Sequence, residues 1–288
     1  MKLRCRWRRS AAALLSVLVV GACTRAPAYS DDPGPTAPAS VPPAAEPPPE
    51  SDGPPMPVGQ RQGWELMFSD EFDGTALDRK RWADQSSAEP DMGHGNPGNQ
   101  QLEWNQAANC TVRNDELVMT AKREQFTAPS GNRYGWTSCL ITSTPSYDFQ
   151  YGYIEERSIL PAARGFWPAF WTWQARGVDQ HTETDVYEFY SDNHRRLYGT
   201  QYSGQRARCD IKPPFDPTAE WHVYGVAIEP TGTTWYVDGR QVCTSPATSD
   251  GSTNIISNLA VYSKIPPDAS VTSATKHVDY IRAWQRPS

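Results

Sequence analysis

Three acids crowd into one short apolar stretch, Glu183-Thr184-Asp185-Val186-Tyr187-Glu188, with no basic residue among them. Paired carboxylates a few residues apart are the usual tools for breaking a glycosidic bond. Read as a strand, side chains alternate between faces, so Glu183 and Asp185 share one face while Thr184 and Val186 take the other. Past Val186 the alternation slips, because Phe189 is the next residue that favours burial and Glu188 and Tyr190 fall in the polar phase. One extra residue near Tyr187, a β-bulge, restores the pattern and brings Glu183, Asp185 and Glu188 onto one face. Discounting the bulged residue, Glu183 and Glu188 stand four strand positions apart, roughly 13 Å between Cα atoms. Two Glu side chains leaning together then approach the ~5–5.5 Å of a retaining glycosidase, although an inverting separation also fits. Three neighbouring acids cannot all ionise cheaply, so one keeps a proton near neutral pH and can protonate a leaving oxygen.

Aromatic residues accompany the acids. In Phe166-Trp167-Pro168-Ala169-Phe170-Trp171-Thr172-Trp173, alternation puts the three Trp on one face and the two Phe on the other. Indole rings suit the apolar faces of sugars, while core packing is the commoner fate of such residues. Pro168 lacks the N–H that a central strand needs, so it should mark a strand start or an irregularity. A second polar group lies in Tyr151–Leu160, where Tyr151, Tyr153, Glu155 and Arg157 share a face opposite Ile154 and Leu160. Arg157 there suits a sugar hydroxyl or a catalytic carboxylate, or a surface ion pair with a neighbouring Glu.

These groups need a scaffold, and the chain divides readily. Residues 1–23 read as an export signal: five basic residues, then an apolar stretch from Ala11 to Val20, too short for a mature membrane span. The segment closes on Val20-Gly21-Ala22-Cys23, which resembles the lipobox of bacterial lipoproteins and makes Cys23 the expected lipidation site. Residues 24–60 hold twelve prolines and no apolar periodicity, as a disordered tether would, with a reach of ~110 Å at ~3.1 Å per residue. Residues 61–288 form one domain large enough to bury a core. Removing residues 1–22, which carry five positive side chains and no acids, takes the formal charge from −6 to −11. That surface argues against nucleic-acid binding, and the five His have no zinc-like spacing.

Cys110, Cys139, Cys209 and Cys243 remain in the exported domain, an even number that reads as two disulfides. Three pairings are open; the expected one is sequence-local, Cys110–Cys139 with Cys209–Cys243. Short strand-like runs separated by turn residues fill the domain, at 110–112, 116–121, 139–143, 151–160, 166–173, 183–190, 221–228, 233–237 and 277–284. Asp238-Gly239 between β-rich arms is a strong hairpin signal. The fold class expected is all-β: a two-sheet antiparallel sandwich of jelly-roll type with a concave substrate cleft.

Taken together, the pieces resemble the family 16 glycoside hydrolases, a group of laminarinases, lichenases, agarases and carrageenases with a concanavalin A-like jelly roll. The resemblance runs from Trp64–Asp73 through Gly98-Asn99 with Gln101 and Glu103, Tyr151–Arg157 and Gly165–Trp171 to Val278–Arg282. It implies Glu183 as nucleophile, Glu188 as general acid/base and Asp185 as the carboxylate that tunes the nucleophile. Asn99, Arg157, Trp167, Trp171 and Tyr202 are then sugar contacts. Glu71 and Asp279 sit at positions resembling the ligands of a structural calcium on the convex side; catalysis itself needs no cofactor. The bulged spacing resembles the laminarinase–agarase branch. Two departures surround the cleft: His181-Thr182 and Thr184 replace the usual approach to the acids, and Tyr202 stands where many laminarinases have His. The expectation is an exported, lipid-anchored monomer (secreted if Cys23 is unmodified) that hydrolyses a β-linked polysaccharide, a β-1,3-glucan first. The alternatives are a galactan-type polymer, a cell-envelope transglycosylase or a lectin-like binding module.

Overall fold

A computed structural model of the chain describes residues 54–59, 63–178 and 181–287. The expected export signal, Cys23 and all but the end of the tether lie outside the described residues. The strands are β1 (Glu65–Asp70), β2 (Glu103–Asn105), β3 (Cys110–Arg113), β4 (Glu116–Lys122), β5 (Phe126–Thr127) and β6 (Arg133–Tyr134). There follow β7 (Trp136–Ser138), β8 (Leu140–Thr142), β9 (Gly152–Ile159), β10 (Phe166–Gln174), β11 (Thr182–Glu188) and β12 (Leu197–Ser203). The last six are β13 (Gln205–Ile211), β14 (His222–Glu229), β15 (Gly232–Val237), β16 (Arg240–Ser245), β17 (Thr253–Val261) and β18 (Ser273–Gln285).

Two sheets stack face to face, as expected. One has the order β16-β15-β14-β9-β18-β4-β7-β2, with β1 also on β18 and β3 also on β4; the other runs β13-β12-β11-β10-β17-β8. Their facing surfaces bury one core, which includes Phe166, Phe170, Tyr187, Ile255 and Leu259 from the six-stranded sheet and Ile154, Val226, Trp235 and Ile281 from the other. Alternation does the sorting: every second residue of β10 and β17 enters this core, and those between face the opposite side. The Asp238-Gly239 turn has positive φ at both residues (48° and 71°), as a tight hairpin between β15 and β16 requires. Both expected disulfides are present, Cys110–Cys139 and Cys209–Cys243. The second joins β13 to β16, the outermost strands of the two sheets, and so ties them together at one edge.

The structure corrects three sequence readings. The tether was expected through Gln60, yet residues 54–59 pack on the domain: Val58 donates its N–H to Glu155 (3.0 Å), and Pro55 accepts the Trp284 indole N–H (2.8 Å). Buried Glu155 needs donors, and this segment supplies one. Pro168 lies inside β10, not at its start. Its carbonyl accepts the Phe189 N–H, so only the reciprocal bond is lost, at the end of the ladder with β11. Arg157 is in the ten-stranded sheet on the surface opposite the core, paired with Asp279 at 2.7 Å and lying over Trp221. Neighbouring Glu156 takes the inward place that alternation leaves.

That inward Glu156 forms a fully buried ion pair with Lys276 of β18 (3.1 Å; both side chains 0% exposed). Glu156 also accepts hydrogen bonds from Tyr187 Oη (2.7 Å) and Ser257 Oγ (2.6 Å), and Lys276 donates to the Ala169 carbonyl (3.2 Å). A charge pair is costly to bury but far costlier to break. Lys276→Met alone should therefore lose about 3–5 kcal/mol in urea unfolding, while Glu156→Leu with Lys276→Met should recover most of that loss.

Candidate active site

The bulge lies where the spacing of the acids requires it. Against β10, Asp185 pairs with Trp171 and Tyr187 with Phe170, which leaves Val186 as the extra residue. Against β12, Asp185 pairs with Thr200 and Glu188 with Tyr198, again three steps opposite two. Val186 and Tyr187 both turn into the core, and Glu188 returns to the face of Glu183 and Asp185. Tyr187 is held there by Glu156, as described above. Trp235 Nε1 donates to the Asp185 carbonyl at 2.8 Å through a gap that only Gly199 leaves, since a Cβ on Gly199 would stand 2.4 Å from that nitrogen.

Each acid has its own surroundings. Glu183 accepts a 2.6 Å bond from the His181 ring, which stacks on Tyr202 (5.4 Å between ring centres) and tilts against Trp173 (4.9 Å). Burial raises the Glu183 pKa, and the His181 hydrogen bond is the largest influence opposing it. Asp185 is buried between the other two acids, and both burial and their charge push its pKa well up. Thr200 Oγ1 lies beside Asp185 without reaching hydrogen-bond geometry. Glu188 accepts a 2.9 Å bond from Tyr190 Oη, and burial again raises its pKa above the usual range. The Trp167 indole N–H is directed toward Glu188 but bonds to no atom, which leaves a buried donor beside the carboxyl. Two raised acids flanking a third suit one group that keeps a proton and one held ionised by its partner.

The aromatic residues divide between wall and floor. Trp167 stacks on Tyr190 (4.9 Å) and meets Tyr262 edge-on. Trp171 is mostly buried, its N–H fixed by Asn258 at 3.0 Å, so it underlies the acids more than it projects. Tyr202 is directly opposite Glu183 on β12. Asn99 is exposed in the short 3-10 turn Pro97–Asn99. That turn is held by Ser263, which donates its N–H to the Gln100 carbonyl (2.8 Å), and by a bridge from Gln101 to Tyr262. Asn99 thereby lies two residues from the bridge to Tyr262, whose ring meets Trp167.

Two groups of expected residues are not brought to this site. Arg157 belongs to the other sheet, as noted. Glu71 gives both carboxylate oxygens to the Arg282 guanidinium, and Asp279 is matched by Arg157. Cations already neutralise these acids, and no cluster of three or more metal-ligating His, Cys, Asp or Glu exists among the described residues. Ion-paired in this way, Glu71 and Asp279 do not offer the free carboxylates that the resemblance implied for a calcium. Sequence reading noticed His181 only as a departure and Tyr190 only as polar, because their roles depend on which carboxylate each one meets. Trp173, Tyr198, Tyr262 and Arg206 also belong to the face.

Residues 98–282 match the family model described as Glycosyl hydrolases family 16. A glucan endo-1,3-beta-glucosidase A1 of Niallia circulans is 29% identical over 77% of this chain and 38% of its own length. An endo-1,3-1,4-beta-glycanase of Rhizobium meliloti is 29% identical over 75% of this chain and 51% of its own. The chain thus spans about two fifths to half of these relatives. Among solved structures, the laminarinase catalytic domain of Thermotoga petrophila superposes with a TM-score of 0.70 at 27% identity, covering 78% of this chain and 99% of that one. The endo-beta-1,3-glucanase of Pyrococcus furiosus also gives 0.70, at 28% identity, over 78% and 95%.

Two outcomes are expected from the electrostatics. Loss of the His181 bond should raise the Glu183 pKa further, so His181→Ala should move the acid limb of kcat/KM to higher pH. An unmoved limb would show that His181 does not hold Glu183 ionised. Glu183, Asp185 and Glu188 all have folded pKa values above their unfolded ones, so the site costs stability as pH rises through that interval. Asp185→Asn should accordingly raise Tm by a few degrees at pH 7, and the gain should disappear below about pH 3, where the carboxyl is protonated in both states.

Proposed function

Because this chain belongs to glycosyl hydrolase family 16, we propose that it is a retaining endo-glycoside hydrolase acting on a β-linked polysaccharide with a β-1,3-glucan backbone. The observation that carries the reading is the bulge at Val186, which lines up Glu183, Asp185 and Glu188 on one open sheet face. Relatives named as endo-1,3-beta-glucosidases and laminarinases favour the β-1,3 linkage.

The chemistry follows from the three environments. Glu183, held by His181, attacks the anomeric carbon while Glu188 donates its proton to the departing glycosidic oxygen; the C–O bond breaks and a glycosyl-enzyme ester forms. Glu188, now ionised, takes a proton from water, and the resulting hydroxide displaces Glu183 from the same face that the leaving sugar vacated. Two inversions give net retention. Buried Asp185 disfavours extra negative charge beside it, which helps Glu188 to stay protonated until it is needed. Tyr190 holds Glu188 in position, and the Trp167–Tyr190–Tyr262 group offers ring faces to a bound sugar.

Our reading also places the domain outside the cytoplasm, tethered through a lipidated Cys23. The basic and apolar leader, the lipobox-like ending and the proline-rich segment support it. Labelling cells with a radioactive fatty acid should mark the wild type and not Cys23→Ser.

Residues 54–288 should release reducing ends from a β-1,3-glucan with the β-anomer appearing first by NMR. Glu183→Gln should abolish release. Glu188→Gln should lower kcat about 10²–10⁴-fold. First appearance of the α-anomer would overturn retention.

A further inference from the structure

Beyond the tyrosines of β12 lies a charge pattern that a neutral glucan does not require. In β13, Cys209 and Ile211 bury toward the core, so alternation sets Arg206, Arg208 and Asp210 on the face of the catalytic acids. Strand pairing carries the rows across: Glu183, Tyr202 and Arg206; Asp185, Thr200 and Arg208; Glu188, Tyr198 and Asp210. Asp210 is neutralised by Arg196 at 2.8 Å. Arg206 and Arg208 are exposed, and among the described residues neither has a salt-bridge partner. Both guanidinium groups lie over aromatic rings instead. Arg208 is 3.8 Å above the Tyr198 ring centre and Arg206 is 5.3 Å from that of Tyr202.

Distance separates two roles for these charges. Two strand spacings, about 10 Å between Cα atoms, separate β13 from the acids of β11, and among the described residues neither arginine forms an ion pair with them. Their effect on the three carboxyl groups is correspondingly secondary to burial. A guanidinium laid on a ring has its plane set in advance, and its N–H edge stays free for a planar or tetrahedral anion. Positions i and i+2 stand roughly 7 Å apart along a strand, within reach of a shared substituent for two long side chains. The acid row would repel an anionic polymer, and this pair of cations on the same face offsets it.

We propose that Arg206 and Arg208 form an anion subsite, so that the preferred substrate carries carboxylate or sulfate ester groups on sugar units bound over β12 and β13. The proposal deepens the hydrolase reading and rests on it. The test compares neutral β-1,3-glucan with its carboxymethylated and sulfated derivatives, using wild type, Arg206→Gln/Arg208→Gln and Arg206→Lys/Arg208→Lys. Wild type should prefer at least one anionic polymer, and the preference should weaken between about 50 and 500 mM salt. The Gln pair should lower the anionic-to-neutral ratio of kcat/KM about 100-fold, through KM, and the Lys pair should keep part of it. The derivative that responds identifies the anion. A preference for the neutral polymer, an unchanged ratio, or an equal fall on both polymers would overturn the subsite; the last would mean that the arginines act only on the acids. If wild type cleaves none of the three, the hydrolase reading fails, and affinity electrophoresis in gels containing the same polymers decides the arginines separately. Retardation by an anionic gel that the Gln pair abolishes would support the subsite, and equal migration would overturn it.

Discussion

The extra residue at Val186 is the constraint on which the chemistry depends. Without it, Glu188 would point into the core between the sheets, where an unpaired carboxylate is prohibitively costly, and the face would hold two acids in place of three. A bulge leaves one residue without a ladder partner, so neighbouring contacts must hold it. Here Tyr187 is anchored by the Glu156–Lys276 pair, and the Asp185 carbonyl is held by Trp235. The same Lys276 takes the carbonyl of Ala169, the residue directly opposite Glu188. Three strands of the ten-stranded sheet, β9, β15 and β18, thus converge beneath the acid row of the other sheet, which connects sandwich packing with the position of the proton donor.

Burial and partnering then divide the labour among chemically similar groups. All three acids are pushed toward the neutral form by desolvation. What distinguishes them is the neighbour each one meets: a His ring for Glu183, two carboxylates for Asp185, a phenol for Glu188. A nucleophile needs a partner that favours its charge, and an acid needs surroundings that delay its ionisation. The arrangement is costly to stability, as active sites commonly are, and the stapled, fully packed sandwich beneath it can bear that cost.

Much of this was legible from residue order. Alternation identified the bulge and the Trp face of β10, and the even cysteine count with the preference for local pairs matched both disulfides. Alternation did less well with strands whose two faces are both buried. Strand β17, between β10 and the edge strand β8, places Asn254 and Asn258 on the face of the acids and escapes recognition from sequence, because Asn suggests turns. The hairpin of β12 and β13 is hidden for a different reason, since the charged run Gln205-Arg206-Ala207-Arg208 has the composition of a solvated loop. Period-two charge alternation was the signal available there.

The sequence by itself determined which residues share a face, because side-chain direction along a strand follows from covalent geometry alone. It therefore carried the acid triad, the all-β class and the positions of its turns. Only the tertiary structure decided which sheet each face belongs to, and through which layer it looks. That is why Arg157, correctly phased within its own strand, lies on the far sheet paired with Asp279. It is also why Glu156, one residue earlier, supports the catalytic strand from below. Pairing between distant strands is set by how two surfaces bury each other, and no local pattern encodes the partner.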